Sequence, residues 1–167
     1  MQEDGVTNAT GTCYSYDNAT SAVNGTNQGT CATIDKFGGS ITMVPGVAGP
    51  AVTVRITNKG SLTPGTFTLT AGATCAQSNN PSETVHGTAL DLCAKLNVTI
   101  DNGSSVGTGD IYTGTMAGLA GHAAFSLTAL AGGASAEFTF QVTLVGTADN
   151  SYQGLKASLP LTWAFVQ

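Results

Sequence analysis

An all-β, jelly-roll β-sandwich with one short helix near residues 88-95 is the fold that the sequence predicts. Three observations carry this: apolar residues alternate with Thr, Asn and Gln at period two in several segments, Gly-, Asn- and Pro-rich turns separate them, and a single stretch has helical spacing. The chain of 167 residues is long enough for one domain with its own core.

Residues 1-30 are a polar Asn/Thr/Gly segment, read as an N-terminal extension and a disulfide-closed loop ahead of a jelly-roll domain over 31-167. A weak strand is expected near Tyr14, with Tyr16 beside it. Ile34 and Phe37 precede the Gly38-Gly39 turn, and Ile41 and Met43 precede Pro45-Gly46, so short strands are expected at both places. Ser40 reads as a turn residue. Gly49-Pro50 closes the loop that follows.

Ala51-Val-Thr-Val-Arg-Ile-Thr-Asn58 alternates cleanly, placing Val52, Val54 and Ile56 on one buried face. After the turn at Asn58-Lys59-Gly60-Ser61, Gly65-Thr-Phe-Thr-Leu-Thr-Ala71 resumes the pattern with Phe67 and Leu69 inward. Thr88-Ala-Leu-Asp-Leu-Cys-Ala-Lys95 is the helical stretch, with Thr88 as its cap and Asp91 in its first turn. Leu96-Asn-Val-Thr-Ile100 is a strand ended by Asp101-Asn102-Gly103. Further strands are expected at 111-113, 123-129, 135-145 and 156-166. Phe138, Phe140, Val142 and Leu144 make the strongest core strand, and Leu159, Leu161, Trp163 and Phe165 line the last.

Charged residues make up only 9% of the chain, so solubility rests on hydroxyls and amides, which is unusual for a cytosolic enzyme. The net charge of -5 comes with five isolated basic residues, Lys36, Arg55, Lys59, Lys95 and Lys156, which cannot neutralise a row of phosphates. Nucleic acid and anionic membranes are therefore poor partners, and no nucleic acid and no direct membrane insertion are expected. No segment approaches the ~20 apolar residues of a membrane span. Met1-Gln2-Glu3-Asp4 lacks the basic start and apolar run of a signal peptide, so the sequence reads as a mature chain.

Cysteines stand at 13, 31, 75 and 93, with no Cys-x-x-Cys pair. An even number in a hydroxyl-rich, charge-poor chain points to disulfides formed outside the cytosol. Of the three connectivities, Cys13 with Cys31 and Cys75 with Cys93 is expected, because it closes two local loops, each contributing roughly 3 kcal/mol in the chain-entropy model. Glycosylation sequons begin at Asn8, Asn18, Asn24, Asn97 and Asn102, and their density favours an exterior location.

Catalytic signatures are lacking. His86 and His122 lie far apart without the two-His helix motif of a zinc peptidase, and no Gly-x-Ser-x-Gly elbow is present. Glu83 and Glu137 are the candidate glutamates for a carboxylate pair, though Glu137 opens an apolar strand and reads as solvent-facing. Asp101, Asn102 and Asp110 carry oxygen ligands suited to calcium, but Asx residues at these turns are better read as turn formers. No cofactor or metal is expected.

Three groups of residues resemble the TasA/camelysin family in order and spacing, over about residues 37-167. The first is Ala51-Val-Thr-Val-Arg-Ile-Thr-Asn-Lys-Gly-Ser-Leu62; the second is Leu96-Asn-Val-Thr-Ile100 with Tyr112-Thr-Gly-Thr-Met-Ala-Gly-Leu119. The third is Gly133-Ala-Ser-Ala-Glu-Phe-Thr-Phe-Gln-Val-Thr-Leu144 followed by the Asn-x-x-Gln-Gly turn at Asn150-Ser-Tyr-Gln-Gly154 and a terminal strand with Trp163. The resemblance implies a jelly-roll sandwich exported to the cell surface and polymerised into a biofilm-matrix fibre or a bundling pilus.

In such fibres an N-terminal strand of one subunit completes a sheet of its neighbour, which makes identical subunits, joined head-to-tail, the implied partners. The resemblance places the donor in residues 1-12, centred on Gly5, Val6, Thr7, Asn8, Ala9 and Thr10. This segment departs from the family pattern in having only Val6 and Ala9 as apolar anchors, and the Cys13–Cys31 loop reads as an insertion. Two other readings are a secreted camelysin-like metallopeptidase, which requires a metal-ligand set, and an adhesion or carbohydrate-binding module. The latter requires Tyr14, Tyr16, Tyr112 or Tyr152 to line up on one surface.

Overall fold

Alternation in the sequence becomes two antiparallel sheets packed face to face in a computed structural model that describes residues 1-15, 26-39, 42-103 and 109-167. The strands are β1 (Gln2–Thr7), β2 (Thr12–Tyr14), β3 (Thr26–Gly29), β4 (Val52–Thr57), β5 (Thr66–Ala71) and β6 (Ala76–Asn79). They continue with β7 (Leu96–Asp101), β8 (Asp110–Thr115), β9 (Phe125–Leu127), β10 (Ser135–Leu144), β11 (Leu155–Ser158) and β12 (Leu161–Val166). The larger sheet has the order β2-β1-β4-β10-β7-β8, the smaller β3-β12-β5-β9, and β11 pairs with β6 at the side. From β4 onwards, the β7–β8 hairpin of the larger sheet apart, the chain passes back and forth between the two main sheets, the winding expected of a jelly-roll sandwich.

The inward residues foreseen from the pattern form the core. Val52, Val54, Ile56, Phe67, Leu69, Val98, Ile100, Phe138, Phe140 and Trp163 are all buried. Phe138 of the larger sheet meets Trp163 at 4.6 Å and Phe67 at 5.9 Å, and Phe67 contacts Phe165 edge-on at 4.7 Å. Aromatic contacts across the sheets add to the area term that dominates their cohesion.

The two sheets differ in charge. Strands β3, β5, β9 and β12 contain no charged residue, and the outward positions of the smaller sheet include Thr66, Thr68, Thr70, Ser126, Thr162 and Ala164. The larger sheet carries Asp4, Arg55, Asp101, Asp110 and Glu137 on its strands.

Several local expectations are corrected. The helix occupies only Leu92–Lys95 (α1): Gly87 and Ala89 donate to Gln153 and Ser151 at 2.7 and 2.9 Å, so the chain around Thr88 is tied to the 151-153 turn and Thr88 caps nothing. A second short helix, Met116–Leu119 (α2), is capped by the Thr115 hydroxyl on Gly118 N–H at 3.0 Å. Ile34, Phe37 and Met43 lie in no strand; they reach the core from turns, Phe37 meeting Phe140 edge-on at 6.0 Å. The expected strand over 156-166 is two, because the chain leaves β11, turns at Leu159-Pro160 and enters the smaller sheet as β12. Residues 1-15 are no appendage: β1 and β2 belong to the larger sheet, with Met1 and Glu3 buried.

Cys13–Cys31 and Cys75–Cys93 form the two disulfides, with Cα–Cα separations of 5.9 and 6.2 Å. The first ties β2 to the start of the 31-39 turns, and the second ties α1 to the residue before β6.

Candidate strand-exchange site

The segment expected as a donor divides in two. Residues up to Thr7 are the extended strand β1, whereas Asn8, Ala9 and Thr10 belong to the turn that brings the chain back as β2. The local chemistry dictates this: Asn8 adopts a left-handed φ of 52° and its amide donates to Ala51 O at 2.7 Å, and Gly5 N–H donates to Gly11 O at 2.9 Å. A side chain at position 5 would lie 2.6 Å from the backbone of Ala9 and Thr10, so the turn closes over a glycine.

β1 lies between β4 and β2 of its own chain. Gln2, Glu3, Asp4 and Gly5 oppose Thr57, Ile56, Arg55 and Val54, and Thr7 opposes Thr53 past an irregularity at Val6. On the other side Gln2, Glu3 and Asp4 oppose Tyr14, Cys13 and Thr12. Main-chain ladders on both edges therefore hold this strand, and the buried Met1 just ahead of it is its main apolar hold on the core.

Glu3 is what β1 puts into the core. Its carboxylate meets Lys36 Nζ at 2.9 Å with both side chains 5% exposed, and the same ammonium donates to Cys31 O at 3.2 Å. Burial pushes the Glu3 pKa above that of an ordinary glutamate; Lys36, and after it the Trp163 indole N–H, act against this. That N–H is buried and makes no hydrogen bond, so its pull on the carboxylate is that of a dipole alone. A small cleft lined by Met1, Glu3, Cys13, Tyr14, Ser15, Gly29 and Cys31 adjoins the pair. Sequence reasoning missed Glu3–Lys36; its one signal was a glutamate at the alternate position from Met1 and Gly5.

The other candidates do not converge. Among the described residues no three His, Cys, Asp or Glu side chains form a group able to hold a metal ion. His86 Nε2 lies 2.9 Å from Asn80 O, while His122 bonds Ala123 O and stacks on Phe125 at 4.4 Å. Glu137 pairs with Arg55 across β10 and β4 at 2.6 Å, and nothing brings Glu83 to it. Asp101 accepts from Gly103 N–H, Asp110 accepts from the Thr113 hydroxyl at 2.9 Å, and the Asn102 amide, turned to donate, reaches Gly109 O at 2.9 Å. These groups serve turns and strand ends.

Tyr14 and Tyr112 sit on β2 and β8, opposite edges of the larger sheet, and the Tyr152 hydroxyl donates to Asp91 at 2.8 Å beside α1. The width of the larger sheet thus separates Tyr14 from Tyr112. Of the sequons, Asn8 and Asn97 are exposed and Asn102 is buried. Asn18, Asn24, Tyr16, Ser40 and Ile41 lie outside the described residues. No helix among the described residues is long and apolar enough to cross a membrane. Neither the family models nor the curated proteins contain a match to this chain.

Proposed function

We propose that this protein is a structural subunit of an extracellular filament, joined to copies of itself by its N-terminal strand. One observation carries the reading: β1 completes the larger sheet chiefly through main-chain ladders, with Met1 and the Glu3–Lys36 pair as its holds in the core, while the Cys13–Cys31 bond anchors the chain directly behind it. Residues 1-12 can leave without breaking a covalent bond. Their departure bares the edge of β4, a row of unpaired N–H and C=O groups that the same strand of another copy satisfies equally well. Two disulfides fit an oxidising compartment outside the cytosol.

Electron microscopy of the non-reduced protein across a concentration series, beside a chain lacking residues 1-12, tests the proposal. Regular filaments from the full chain alone are expected. Filaments formed equally by the shortened chain, or by neither, overturn it.

A further inference from the structure

The position of the β1–β2 turn decides how two copies can share the strand, an inference that rests on the strand-exchange reading above. β1 runs antiparallel to β4 from Gln2, opposite Thr57, to Thr7, opposite Thr53. Its C-terminal end therefore lies at the end of the larger sheet where β4 begins. The turn that follows is at this same end, since Asn8 bonds Ala51 O, and β2 starts back from it at Thr12, opposite Asp4.

Consider β1 of one copy seated beside β4 of another in the same register. The donated strand leaves its host at the host's Thr53 end and must return to Thr12 of its own chain. Only residues 8-11 bridge the gap between Thr7 and Thr12, a span of about 17 Å when fully extended. The Thr53 ends of the two copies must therefore face each other.

In each copy the accepting slot and the departing chain occupy adjacent strands, about 5 Å apart. Two different neighbours cannot approach one sheet end through openings so close. The copy that gives a strand must be the copy that receives one, and a reciprocal contact of this kind closes on itself.

We infer that strand exchange links two copies reciprocally through the β4-start ends of their larger sheets, as a closed two-fold pair, and that growth beyond the pair uses a different surface. This departs from the head-to-tail arrangement implied by the family resemblance. The same sheet end bears exposed apolar side chains for the pair to cover: Val6, and Val44 and Val47 on the loop whose Gly46 and Gly49 N–H groups bond Leu144 and Val142 O, each at 2.8 Å. Leu62, also exposed, is just beyond Thr57 at the far end.

The test mixes full-length T7C with full-length T53C under conditions that promote exchange, then applies a short thiol cross-linker. A 7-to-53 cross-link between chains is expected, in a species that sediments as two chains below the concentration at which filaments grow. Spin labels at V47C and, separately, at L62C in the exchanged wild-type background are expected to give a short 47–47 and a long 62–62 distance. A cross-link accompanied by a ladder of larger masses, or by a 62–62 distance as short as 47–47, overturns the closed pair and leaves strand exchange standing. Absence of any interchain cross-link, with both variants folded by circular dichroism, overturns exchange and the pair together.

Discussion

Glu3 and Lys36, thirty-three positions apart in the chain, form an ion pair at 2.9 Å inside the sandwich, and this pair joins the first strand to the turns beyond the first disulfide. Breaking it from one side leaves a buried charge alone. Glu3→Gln should lower the unfolding free energy by about 3–5 kcal/mol. Glu3→Leu with Lys36→Met should cost far less or stabilise, since no ion is then desolvated. Urea unfolding followed by the fluorescence of Trp163 measures both; equal losses in the single and double variants refute the argument.

The same carboxyl gives a pH dependence. Its pKa is raised by burial, so between the ordinary glutamate value and the raised one the folded chain holds a proton that the unfolded chain has released. The stability contributed by Glu3 therefore falls as pH rises through that window and recovers as pH is lowered. Subtracting the Glu3→Gln profile from the wild-type profile isolates the group, because other carboxyls titrate in both. A difference that stays flat or climbs with pH refutes this expectation.

The two disulfides should separate stability from exchange. Each joins residues 18 apart, and replacing either pair by serine should cost about 3 kcal/mol. Loss of Cys13–Cys31 should also speed the exchange of β1, because β2 is no longer tied down behind it. Loss of Cys75–Cys93 should leave the exchange rate unchanged. Denaturation curves give the first quantity and the rate of interchain cross-linking the second.

Asn58 pins the turn between β4 and β5 from inside. Its amide donates to Leu62 O at 2.8 Å and Leu130 O at 2.9 Å, and its carbonyl accepts Gly60 N–H at 2.9 Å. Asn58→Ala strands these groups and should cost about 3 kcal/mol, since each buried polar group left unmet costs ~1–3 kcal/mol. Thermal unfolding read by circular dichroism checks it, and a change below the effect of a typical surface substitution counts against it.

Gly154 sits at φ 63°, and a Cβ there would lie 2.1 Å from Val85 O, whereas Gly133 has φ 79° with open space around it. Alanine at 133 should cost only the left-handed strain of about 1–2 kcal/mol. Alanine at 154 should cost more and loosen the 80-91 segment. Amide hydrogen exchange of Gly87 and Ala89, whose N–H groups bond the 151-153 turn, distinguishes the two variants.

Much of the sandwich was legible because period-two alternation records burial directly. Thr57, Arg55 and Thr53 face out while Val52, Val54 and Ile56 face in, and β5 and β10 repeat the arrangement. Legibility failed where burial does not follow a local period. Ile34 is buried from a turn, the break at Leu159-Pro160 changes sheet without interrupting the apolar pattern, and α1 is cut short by partners more than fifty residues away. The site was harder still. Position 3 alternates as a core position should, yet holds a glutamate, and only the fold brings Lys36 to it.

The neutrality of the smaller sheet makes the molecule electrically two-sided. Its Thr, Ser and Ala wall has nothing on its strands to protonate or screen, while the opposite wall carries Asp4, Arg55, Asp101, Asp110 and Glu137. Changes in acidity or ionic strength therefore act on one wall and pass the other by. On a positively charged support the acidic wall turns downward, and the surface left facing the medium is a sheet of hydroxyls and methyls.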